Sequence, residues 1–141
     1  MDWFDCKNSK LVKEASVDKN LIDALLIMSK NKHLSAMRLE LDDISAETKI
    51  SNLYDSLREV LEALAINKGY KIYNHECFSS FLKEICNEEE FSKKFDKLRI
   101  LRNKINYYGE KIKIEQAKIF IEDLIKLKKE ILDKYFTKEA R

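Results

Sequence analysis

The sequence contains no proline and only two glycines, Gly69 and Gly109, among 141 residues. Breakers of helix are therefore scarce, and the chain is rich in the strong helix formers Leu, Lys and Glu. Each glycine closes a helical pattern, where a left-handed C-cap is expected. Neither is left over for a loop that cradles phosphate, which excludes P-loop and Rossmann sites. Cysteine is sparse too, with only Cys6, Cys77 and Cys86. The number is odd and no CxxC pair occurs, so no disulfide framework is expected. Cys77 and Cys86 lie half a turn out of phase on a helix. With only His33 and His75 to help, a zinc site is not expected, and neither is any other metal or cofactor. Buried thiols in a reducing compartment, the cytoplasm, are expected instead. Long apolar runs are missing as well. The stretch Leu21 to Met28 is far too short to span a bilayer, and no signal-peptide pattern is present, so no membrane association is expected.

Hydrophobic residues make up 45% of the chain and charged residues 37%, a globular rather than a disordered composition. The length suits one domain spanning residues 1–141. The formal net charge of +2 does not imply a whole-protein field that attracts nucleic acid. The charge is uneven, however. Lys93, Lys94, Lys97, Arg99, Arg102 and Lys104 face a single acid, Asp96, while Glu40, Asp42, Asp43 and Glu47 cluster earlier.

Periodicity predicts five helices joined by short connections, an all-α, antiparallel up-and-down bundle. Trp3 and Phe4 predict that residues 1–16 dock onto the body. The first main helix is expected from Asp18, a plausible cap, to Met37, with Leu21, Leu25 and Met28 on its buried face. The second begins near Ser45, carries Ile50, Leu53, Leu57, Val60, Leu61 and Leu64, and stops at Gly69. GYKIYN reads as a loop. The third helix starts near Asn74, with Phe78, Phe81, Leu82 and Ile85. The fourth runs from about Glu89 to Gly109, and the fifth from about Ile114 to Phe136 with Ala117, Phe120, Ile121, Leu124, Ile131 and Tyr135 as its stripe.

One residue breaks the pattern. At 100° per residue, Phe91, Phe95, Leu98 and Ile105 form a narrow apolar stripe on the fourth helix, and Arg102 falls in its centre. Arg99 and Asn106 lie beside it, and Asn103 is a little further round. A guanidinium on a core-facing line is costly unless paired. Either it meets an internal carboxylate, with Glu76 a candidate, or it is presented to a ligand. Its planar fork suits phosphate. Tyr54 and Arg58, four apart on the second helix, stack on each other or line the same cleft. Of the two tyrosines that follow Arg102, Tyr108 is expected in the core. Tyr107 is expected on the polar side, where it could stack on a base.

The segment LRILRNKINYYG, together with LYDSLREVLEALAINKGY and IYNHECFSSFLKEI in this order, resembles the HEPN family, the higher eukaryotes and prokaryotes nucleotide-binding domains. The resemblance covers about Asp18 to Tyr135. It implies a helical bundle that forms a homodimer and binds RNA or nucleotide at a cleft. Such proteins are often metal-independent endoribonucleases, including toxins of toxin–antitoxin pairs; others merely bind nucleotides or RNA, or partner small nucleotidyltransferases. Arg102 and Asn103 match the family's arginine and the polar residue after it. The family's histidine has no match: four intervening residues lead to Tyr107. A tyrosine is a poor base near neutral pH, whereas histidine can both take and give a proton there. The resemblance therefore implies binding through Arg102, Asn103, Asn106, Arg99, Tyr54 and Arg58, with at most weak cleavage involving Tyr107. His75 could replace the missing proton carrier if the start of the third helix packs against the end of the fourth. Otherwise Asn74 simply caps that helix and His75 packs.

Overall fold

The computed structural model describes residues 1–108 and 111–138, with residues 106–108 described by backbone alone. Among them the elements are α1 (Trp3–Asn8), β1 (Val12–Glu14), α2 (Lys19–Arg38), α3 (Ala46–Asn67), β2 (Tyr70–Ile72), α4 (Glu76–Ser80), α5 (Glu89–Tyr108) and α6 (Ile114–Tyr135). A π-helical segment, Phe81–Ile85, continues α4. The chain is a mostly helical bundle, as its composition predicts. No described helix is long and apolar enough to cross a membrane.

The caps explain where the helices begin. The Asp18 carboxylate accepts from the Leu21 amide at 3.1 Å and starts α2. The Asn74 side chain accepts from the Glu76 amide at 2.8 Å and starts α4. Gly69, with φ of +88°, ends α3 in the left-handed conformation that a side chain would resist.

α3 is the centre of the fold. Ile50, Leu53, Leu57, Val60, Leu61 and Leu64 are all buried, and so are Ala63 and Ala65 on its other sides. A helix apolar nearly all round must be surrounded. α2, α5 and α6 pack against it. Contacts give the directions. The Lys49 ammonium donates to the Leu39 carbonyl, and Ser29 meets Ser56, so α2 and α3 run antiparallel. Lys94 pairs with Glu130, while Lys104 and Ile105 share a cavity with Gln116, so α5 and α6 are antiparallel as well.

Four expectations need correction. The segment read as the loop GYKIYN contains β2, which pairs antiparallel with β1, Val12 opposite Ile72. Three residues are too few for an alternating pattern to stand out. On α2, Leu21 and Met28 are exposed; the buried face is Ile22, Leu25, Leu26, Ser29 and Ala36, one residue further round the helix. Within the N-terminal segment Trp3 is buried but Phe4 is 67% exposed. Trp3 sits edge-on to Tyr70 at 5.2 Å. Finally, Cys6 and Cys77 are joined as a disulfide across 71 residues. The expectation of three free thiols fails, and the argument for a reducing compartment goes with it. Cys86 alone is free, and burial pushes its thiol up to about 11. The stop of the fourth helix at Gly109 lies outside the described residues.

Candidate functional site

Arg102 lies where the helical wheel puts it, turned inward from α5 with 13% of its side chain exposed. Its guanidinium carbon stands 4.9 Å from the centroid of the Tyr54 ring. At that range a cation is attracted to the ring face. One guanidinium nitrogen is 3.7 Å from the Asp55 carboxylate. An internal carboxylate beside Arg102 is thus Asp55. Glu76, the candidate from sequence, pairs with the Met1 ammonium instead. The stack expected between Tyr54 and Arg58 is likewise replaced by Tyr54 with Arg102.

Tyr54 is fully buried, with its ring stacked on Phe95 at 5.9 Å. Its hydroxyl lies 3.3 Å from Nδ1 of His75. Burial raises the phenol to about 12, although the charges of Arg102, Arg99 and Arg58 pull the other way. His75 enters from the N-cap position just before α4, its ring 5.8 Å from that of Tyr54 and 6.4 Å from that of Phe78. Burial lowers its imidazole to about 4, helped by the charges of Arg58, Arg102 and Arg99 and opposed by Asp55. Both side chains are therefore uncharged at neutral pH.

Two further arginines flank the pair. Arg99 donates to Asp96 through two nitrogens, at 2.8 and 3.2 Å. Arg58 donates to Glu62 and lies 3.9 Å from Asp55. Its Nε is buried and has no hydrogen-bond partner among the described residues. A buried N–H without an acceptor costs about 1–3 kcal/mol.

The structure thus brings Arg102, Arg99, Arg58, Tyr54 and His75 to one corner between α3, α4 and α5. Asn103 is on α5, half-buried, one residue round from Arg102. The side chains of Asn106 and Tyr107, expected at the site, and of Tyr108, expected in the core, lie outside the described residues. Asp55 and Asp96 belong to the corner and were not anticipated. Asp55 could have been suspected from its i, i+3 spacing to Arg58. No cluster of His, Cys, Asp and Glu suited to a metal occurs among the described residues. Chemically, the corner gathers three guanidinium groups, whose donors suit an anion, while the Tyr54 ring is fully buried between Phe95 and Arg102 and offers no face for stacking a base. Its imidazole, being far below its ordinary value, is a weak base and holds no proton to give at pH 7.

No protein-family model, curated protein or solved structure matches this chain.

Proposed function

We propose that the corner around Arg102 binds the phosphate of RNA or of a nucleotide, as the resemblance to HEPN proteins implies. The supporting observation is the convergence of three guanidinium groups, Arg58, Arg99 and Arg102, on the uncharged Tyr54–His75 pair. Each arginine has an acid near it, so the site is held ready by Asp55, Asp96 and Glu62. Phosphate binds in competition with Asp55, whose carboxylate lies 3.7 Å from the Arg102 guanidinium. Cleavage is not the reading the site favours. Breaking RNA without a metal needs one group to take the 2′-hydroxyl proton and another to protonate the leaving oxygen. A histidine lowered to about 4 does neither well near neutral pH.

The test is binding of a fluorescent single-stranded RNA at low salt, where phosphate contacts are strongest. Arg102→Ala should weaken binding at least tenfold and reduce its salt dependence. Equal affinity in wild type and variant would sink the proposal.

A further inference from the structure

On the other side of α3, the helices α2, α3 and α6 line a cavity of about 280 Å³ that opens to solvent. Leu26, Leu34, Val60 and Leu132 form its apolar walls, Lys128 and His33 its polar end, and the exposed Lys30 stands at its rim. None of the lining residues is acidic. Lys128 is buried, with 8% of its surface exposed.

The surroundings of that amine are well defined. Nζ lies 2.7 Å from Nδ1 of His33 and donates to the Ser56 hydroxyl at 3.1 Å. The Ser56 hydroxyl donates in turn to the Ser29 carbonyl at 2.7 Å, and that of Ser29 to the Ser56 carbonyl at 2.6 Å. An ammonium carries three N–H donors. Two are satisfied here, and no carboxylate makes an ion pair with Lys128 among the described residues. Burial lowers this amine to about 8, and burial with the Lys128 charge lowers His33 below its ordinary range. At pH 7 the lysine is therefore still mostly charged, beside a neutral imidazole. Such a charge is expensive to hold inside a protein, and an apolar residue of similar volume is often at least as stable.

An anion with an apolar body would relieve this arrangement, meeting the unused donor while its tail covers the leucines. We infer that the cavity is a binding site for small monocarboxylates with a short apolar tail, the carboxylate resting on Lys128 and the tail on Leu26, Leu34, Val60 and Leu132. A monoanion matches the buried end of the cavity, where Lys128 is the one charged group; the other lining ammonium, Lys30, stands at the exposed rim.

Titration calorimetry with sodium octanoate at pH 7 tests this, with octan-1-ol as the uncharged comparison. Octanoate should bind saturably, octanol much more weakly, and Lys128→Met should weaken octanoate at least tenfold. The same variant should melt roughly 2–8 °C higher, because an isosteric apolar side chain replaces an unpaired charge. Should the Met variant fail to melt cooperatively, Lys128→Gln takes its place in the same titration. No saturation in wild type, equal binding of octanol, or unchanged binding of octanoate in the variant would overturn the inference.

Discussion

Tyr54, Asp55 and Arg58 belong to one side of α3, and Ser56 and Val60 to the other, so adjacent residues of one helix build two different polar interiors. At the arginine corner every guanidinium has an acid nearby, namely Asp55, Asp96 or Glu62. In the lysine cavity the ammonium has only a hydroxyl and a neutral imidazole. Both regions lower a histidine by burying it next to positive charge. The corner is balanced internally, so on the proposed reading an anion must compete with an acid already there. The cavity is unbalanced, so on the inference above an anion adds a partner without displacing one. They differ in attachment as well. Cys77, two residues beyond His75, is tied to α1, while no covalent link reaches the lysine cavity among the described residues.

Reduction of the disulfide should separate the two regions most sharply. Opening a link that closes 71 residues costs about 4 kcal/mol in the chain-entropy account. The melting temperature should fall on adding reductant, and the fall should vanish in Cys6→Ser/Cys77→Ser. In the reduced protein the NMR signals of His75 should move while those of His33 stay. Movement of both, or of neither, would erase the distinction. A smaller effect is expected from Asp55→Ala. Loss of the acid beside Arg102 and Arg58 should destabilise the fold by about 1–2 kcal/mol in a denaturant titration. It should also tighten RNA binding, because the competing anion is gone. Destabilisation with weaker RNA binding would mean that Asp55 positions the arginines rather than competes for Arg102.

The smallest effect concerns pH. His75 has its folded value at about 4 and its unfolded value near 6.5. Above pH 6.5 the imidazole is neutral in both states and adds no pH dependence. As pH falls from 6.5 towards 4, the unfolded chain binds a proton that the folded chain refuses, so stability declines. His75→Gln should flatten this decline in melting curves taken across that window. His33→Gln should act in the same direction to a lesser degree. An unchanged slope in His75→Gln would show that the imidazole is not held neutral.

Much of this was visible in the residues themselves. The stripe from Ile50 to Leu64 placed α3, Asp18 and Gly69 marked helix ends, and the helical wheel singled out Arg102. These features depend on neighbours within a turn or two, where spacing and geometry are tightly linked. What escaped depends on distant partners. The pairing of β1 with β2 and the bond between Cys6 and Cys77 join segments far apart in sequence. The acid opposite Arg102 comes from another helix. Lys128 is a different case. It follows Ile121 and Leu124 by seven and four residues and precedes Ile131 by three, so it stands on the core line of α6 as Arg102 does on α5. The same wheel, applied to α6, would have found it.

The bond between Cys6 and Cys77 makes the backbone between them a closed ring, with α2 and α3 both inside it. A single protease nick in the exposed turn at 42–44 would therefore not release a fragment. The severed ends would stay on one covalent molecule, and the two helices would remain tethered near each other through the opposite side of the ring.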